Sequence, residues 1–166
     1  MLSFGKIYLV RHGSYNRSPQ ELTAEGRAES ESAGRQLLSV GVEQGATLLS
    51  SSALRALQTS AIIESIIGMA VSRSSSKRIN IIGNDPRGVE SLDEMLEVAL
   101  AEAGAETNGK SLIVVAHQPL LEIAAFGARV ANGQVVEYQP QTWQNPEFNS
   151  WEQKRLGIQL GAVGLA

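Results

Sequence analysis

Three features of the sequence predict an α/β fold, a three-layer sandwich with a mostly parallel central sheet flanked by helices. Short apolar runs of strand length recur along the chain, they lack polar alternation, and segments of helical spacing separate them. A strand that is apolar on both sides must be covered on both faces, and strand–helix alternation supplies those covers through βαβ crossovers. The 166 residues suit one domain spanning 1–166. A chain of that size buries roughly 68–70% of its unfolded surface and needs no cross-links to be stable. Hydrophobic residues at 43% and charged residues at 19% exclude disordered and fibrous classes.

The first strand is read over 7–10, Ile-Tyr-Leu-Val. Thr23 is a candidate N-cap for a helix over 24–38, with Ala28, Leu37 and Leu38 on its apolar stripe and Gly41 as its stop. A second strand is read over 47–49, followed by a helix over 53–67 that carries Leu54, Leu57, Ala61, Ile62 and Ile66 before Gly68. The polar run 72–78 reads as a solvated connection, with a docking patch for an acidic partner as the alternative. The third strand is then expected over 79–82. Ser91-Leu92-Asp93-Glu94 fits a capping box before a helix over 95–103. A strand over 112–116 precedes a helix with Pro119 in its first turn, expected to run to about residue 130. Asn132-Gly133 marks a turn before a weaker strand over 134–138. In the tail from Gln139, Ser150 to Gln153 resembles a capping box, and Trp143, Phe148 and Trp151 are expected to pack as a satellite core.

Composition removes much chemistry. Cysteine is absent, which excludes disulfides, thiolate catalysis and cysteine-ligated metals. Only two histidines are present, so a polyhistidine metal centre is hard to build, and neither metal nor cofactor is expected. A net charge of −3 argues against nucleic acid or anionic membrane as a partner, while leaving room for a local basic site. No apolar run approaches the ~20 residues of a membrane span. Residues 1–6 lack the pattern of a signal peptide, so the default expectation is the cytoplasm.

The chemistry that remains gathers at strand ends. Arg11-His12-Gly13 follows the first strand, and His117-Gln118-Pro119 follows the strand over 112–116. Arg55 falls in the first turn of a helix after a strand, where the positive end of the macrodipole disfavours a cation unless an anion intervenes. Singly, each residue has a structural explanation. Together they define an anion site: two guanidinium forks that match phosphate oxygens, helix N-termini, and two imidazoles. One imidazole can attack phosphorus while the other bonds an equatorial oxygen, since neutral histidine is a nucleophile near pH 7. Phosphoryl transfer depends mainly on positioning and charge stabilisation, which these groups supply without metal. Gly13 suits close approach of the backbone to a phosphoryl group.

These segments resemble the signatures of the histidine phosphatase superfamily, the phosphoglycerate mutase-like enzymes. Arg11-His12-Gly13 is similar to the family's first motif, and Leu22-Thr23-Ala24-Glu25-Gly26 to its Leu-Thr-x-x-Gly segment. The run from Ser51 to Thr59 is similar to Ser-Pro-x-x-Arg-Ala-x-Gln-Thr, with Ser52 in place of proline, and His117 resembles the second histidine. The resemblance spans residues 7 to about 121. It implies that His12 is the nucleophile that becomes phosphohistidine, and that Arg11, Arg55 and His117 bind the phosphoryl group before water hydrolyses the intermediate. The compact chain and His117-Gln118-Pro119-Leu120 look most like the small bacterial phosphohistidine phosphatases.

One departure concerns the general acid. Many members take a carboxyl from the region between Arg55 and the second histidine. Here residues 82–90 carry Asp85 as first candidate and Glu90 as second, without a glutamate directly after the strand. A phosphoramidate leaving group needs less proton help than an alkoxide, for which a general acid is worth ~10²–10⁴ in rate. The expected activity is therefore that of a metal-independent phosphatase acting on phosphohistidine in a protein. A phosphatase of small phosphomonoesters or sugar phosphates, and a non-catalytic module that binds phosphorylated partners, are the alternatives.

Overall fold

The computed structural model describes residues 5–42, 45–68, 72–76, 79, 89–105, 109–125 and 129–138. The elements run β1 (Ile7–Arg11), α1 (Ala24–Ser39), β2 (Thr47–Ser51), α2 (Leu54–Ile67), β3 (Ser72–Ser76), α3 (Val89–Glu102), β4 (Leu112–Ala116), α4 (Gln118–Ala124) and β5 (Val135–Tyr138). The sheet order is β3-β2-β4-β1-β5. The β1–β4, β2–β3 and β2–β4 pairs are parallel and β1–β5 is antiparallel, so the sheet is mostly parallel as expected.

Two cores divide the strands by the two-residue period of the pleat. Ile7 and Leu9 of β1, with Leu112, Val114 and Ala116 of β4, face Leu96, Ala99 and Leu100 of α3 and Leu120 and Leu121 of α4. Tyr8, Val10, Ile113 and Val115 face the opposite way, toward Ala33 and Leu37 of α1 and Ala56 and Ile63 of α2. The three layers follow directly. Unbroken apolar runs were the right signal for strands buried on both faces.

Several boundaries differ from expectation. The third strand among the described residues is the polar segment Ser72–Ser76, which reads in the sequence as a solvated connection. It is the outermost strand and pairs through its backbone with β2, so its place does not require an apolar sequence. Ile79 is fully buried in the core beside α3, outside any strand. Helix α3 starts at Val89, which puts Ser91 within the helix and not at its cap. Helix α4 ends at Ala124, well short of residue 130. Asp85, residues 80–82 of the expected strand and the whole tail from Gln139 lie outside the described residues, as does the side chain of Glu90.

The buried faces of α1 and α2 also differ. Thr23 caps α1 as expected, its hydroxyl accepting from the Gly26 N–H at 3.0 Å. The inward stripe is Gly26, Ser30, Ala33, Gly34 and Leu37, however, while Leu38 is exposed. On α2 the inward residues are Ala56, Thr59, Ser60, Ile63 and Ile67, while Leu54 is exposed. Close helix packing explains both. A Cβ on Gly34 would lie 2.8 Å from the Ile66 Cβ, so the contact selects small residues over apolar ones. Ser30 and Ser60 tolerate burial because their hydroxyls donate to the carbonyls of Gly26 and Ala56.

The tightest approach lies at the start of α1. A Cβ on Gly26 would stand 1.9 Å from the Ser14 carbonyl oxygen, and one on Gly13 would stand 2.3 Å from the Gly26 oxygen. Backbone faces backbone, with no flexible side chain to give way. Gly26→Ala should therefore cost at least the ~1–3 kcal/mol of ordinary overpacking, despite alanine's better helix propensity. A urea midpoint equal to that of the parent would contradict this.

Candidate active site

The sheet order builds the site. Parallel pairing places Arg11 opposite Ala116, so His12 and His117 leave adjacent strands side by side. The His12 N–H donates to the Ala116 carbonyl at 3.1 Å, which carries the pairing one residue past β1. On the other side of β4, β2 ends at Ser51. The ring centroids of His12 and His117 are 5.0 Å apart. Arg55, the second residue of α2, reaches both: its Nε donates to His12 Nε2 at 3.3 Å and its Nη2 meets His117 Nδ1 at 3.4 Å.

These partners fix both tautomers. A guanidinium only donates, so His12 Nε2 and His117 Nδ1 each present a lone pair to Arg55. The proton of His12 then sits on Nδ1, which donates to the Gly13 carbonyl at 2.8 Å. The proton of His117 sits on Nε2, which donates to Ser51 Oγ at 2.7 Å. Ser51 is thus the partner that orients His117. Its only signal in the sequence is its position at a strand end within the Ser51–Thr59 run.

Both rings are buried and neutral. Burial, assisted by Arg55 and Arg11, lowers the His12 pKa to about 4. Burial, then His12, Arg55 and Arg11, lower that of His117 to about 3. Arg11 hydrogen-bonds elsewhere. Its Nη1 donates to the Val130 carbonyl at 2.8 Å, while its Nε is buried without a protein partner. Burial and Arg129 make its charge costly, yet a guanidinium remains protonated. An orphaned buried donor costs ~1–3 kcal/mol, a cost that an incoming acceptor removes. Two guanidinium groups and two ring lone pairs thus gather at the strand ends of a chain of net charge −3.

The supporting contacts lie around Thr59. Its hydroxyl accepts from the Gly13 N–H at 3.1 Å, donates to the Arg55 carbonyl at 2.8 Å and lies 3.2 Å from Ser30 Oγ. One side chain therefore ties the His12 loop, α1 and α2 together. The Gly13 amide donates in this bond, and a Cβ on Gly13 would meet the Gly26 backbone, which gives this glycine a packing reason. Ser14 donates from its N–H and its hydroxyl to the two carboxylate oxygens of Glu29, at 2.7 and 2.9 Å, and Asn132 Nδ2 donates to Ser14 Oγ at 2.8 Å. Glu29 lies three residues past the Leu22–Gly26 segment and Asn132 reads as a turn residue, so no sequence pattern links either of them to Ser14.

Among the described residues, no group of three or more His, Asp or Glu side chains is placed to hold a metal. No helix among them is long and apolar enough to cross a membrane.

Residues 7–78 match the model of the histidine phosphatase superfamily (branch 1), a stretch that contains Arg11, His12 and Arg55. The fold is shared with solved phosphatases. A protein histidine phosphatase SixA complexed with tungstate superposes with a TM-score of 0.61 at 22% identity, over 80% of this chain and 86% of the other. A mycobacterial glucosyl-3-phosphoglycerate phosphatase complexed with VO3 gives 0.55 at 13% identity, over 80% and 91%. A comparison with curated protein sequences gives no match. The family match covers 72 of the 166 residues, and the solved structures share the fold with this chain.

The buried neutral histidines have a pH consequence. An unfolded histidine takes up its proton near pH ~6.5. The folded rings do so near 4 and 3, so between these values the unfolded chain binds more protons. Stability contributed by the neutral pair is present above pH ~6.5 and is lost as pH falls through the folded values. A His12→Gln, His117→Gln double variant should show a shallower fall of urea midpoint from pH ~6.5 to ~4 than the parent. Parallel curves would contradict the assignment.

Proposed function

We propose that this protein is a phosphatase of the histidine phosphatase superfamily that hydrolyses phosphohistidine in a protein, by way of a phosphoryl group carried on His12. The observation that carries the reading is the tautomer of His12: Nδ1 is committed to the Gly13 carbonyl, so Nε2 presents its lone pair beside Arg55 and His117. Depressed basicity keeps that lone pair free of a proton at neutral pH.

In the proposed cycle the phosphoryl oxygens draw the N–H groups of Arg55 away from the two rings. Arg11 supplies its unpartnered Nε–H. His12 Nε2 then attacks phosphorus; the N–P bond forms as the bond to the leaving nitrogen breaks, and that nitrogen keeps the electron pair and gains a proton. Water attacks the phosphohistidine in the second half, releasing phosphate and restoring neutral His12. A bound phosphoryl dianion favours protonation of His117, which can then donate from Nδ1 to an equatorial oxygen. Positioning and charge stabilisation supply most of the acceleration in such transfers. The role of acid remains with Asp85 in this reading, and the readily departing imidazole lessens the demand on it. Similarity of fold to the protein histidine phosphatase supports the substrate class, as does the His117-Gln118-Pro119-Leu120 run.

His12→Ala should abolish phosphate release and the acid-labile adduct that rapid quenching traps on the parent. Arg55→Ala should lower kcat/KM by about 10²–10³, the usual cost of losing one donor to a developing anion. Normal turnover by His12→Ala would overturn the mechanism. A phosphohistidine peptide should be consumed faster than sugar phosphates. The reverse order, with activity lost in Asp85→Asn, would instead assign a small phosphomonoester, as the fold shared with the glucosyl-3-phosphoglycerate phosphatase allows.

A further inference from the structure

Arg55 poses a question that the proposed chemistry leaves open. Its charge stands at the N-terminal end of α2, where the helix dipole is positive, and α2 has no acidic residue in its first turn. No carboxylate among the described residues lies within ion-pair distance of it. Its contacts to the imidazole nitrogens are long, at 3.3 and 3.4 Å. A side chain with this much rotamer freedom needs something to hold it.

Tyr15 provides the hold. The Arg55 Cζ lies over the Tyr15 ring, 4.4 Å from its centroid, and the same ring meets His12 edge-on with centroids 5.4 Å apart. Tyr15 keeps 36% of its surface exposed, so it lies at the rim of the site and not in the core. The chain around it is pinned. Tyr15 forms an antiparallel bridge with Leu22, and the Asn16 N–H donates to the Glu21 carbonyl at 2.9 Å. The Leu22 N–H donates to Gln58 Oε1 at 2.8 Å, and Gln58 stands on the same helix as Arg55, three residues on. Ring and guanidinium are thus referenced to one helix.

We infer that Tyr15 is a positioning residue that holds Arg55 in place for the phosphoryl group. The inference rests on the anion-binding role proposed for Arg55. An aromatic face suits the task better than a carboxylate. A carboxylate would neutralise the guanidinium and occupy its N–H donors, competing with the substrate. A ring face attracts the cation through its quadrupole and leaves the in-plane donors pointing outward.

The test uses vanadate binding by the full chain, with thermal melting to monitor the fold. Tyr15→Leu should weaken vanadate binding by about 2- to 30-fold, the range of a cation–π contact at partly exposed to desolvated sites. Tyr15→Phe keeps the ring face and should restore affinity to within about twofold of the parent, a rescue that general loosening of the loop does not predict. Equal affinity in Tyr15→Leu and the parent overturns the inference while leaving the role of Arg55 intact. Equal weakening in Tyr15→Leu and Tyr15→Phe also overturns it, since the hydroxyl would then be the active part. Failure of the parent to bind vanadate overturns the proposed site and this inference together.

Discussion

The parallel pairing of β1 with β4 is the constraint on which everything else depends. Because Arg11 stands opposite Ala116, the next residue on each strand is a histidine, and the two rings meet with no long-range loop closure left to chance. A slip of one residue would turn one ring toward the other face of the sheet. Register is secured by the two cores, which take alternate residues of β1 and β4 on opposite faces. Hydrophobic burial thus sets the geometry of the candidate site.

A second layer of control comes from groups that satisfy one another. His12 and His117 give one nitrogen each to a protein partner and turn the other toward Arg55. The tautomers are therefore consequences of the Gly13 carbonyl and Ser51, and the lone pairs point inward before any substrate arrives. Thr59 joins the loop behind His12 to both helices of the same layer. Rigid placement of this kind is what phosphoryl transfer demands of a protein.

Much of this was legible in the chain. The strands over 7–10 and 112–116 were readable because burial on both faces forces unbroken apolar runs. Arg11, His12, Arg55 and His117 were readable because they follow such runs at strand ends or in the first turn of a helix. β3 was not, since an edge strand paired through its backbone can be written in serine. The inward faces of α1 and α2 were misread for a related reason: at Gly34, close contact selects for smallness, and hydropathy carries no signal for that. Ser51, Glu29, Asn132 and Tyr15 act through partners distant in sequence, which only the fold brings near.

The contact between Gly13 and Gly26 has a consequence for how this chain can change. In most packed pairs, a larger side chain at one position is tolerated once its neighbour shrinks. Here both partners already have the smallest side chain available, and each faces backbone atoms. Neither position can enlarge alone, and no compensating exchange exists between them. Variation must therefore accumulate elsewhere on α1, while the junction of that helix with the loop after β1 stays closed to it.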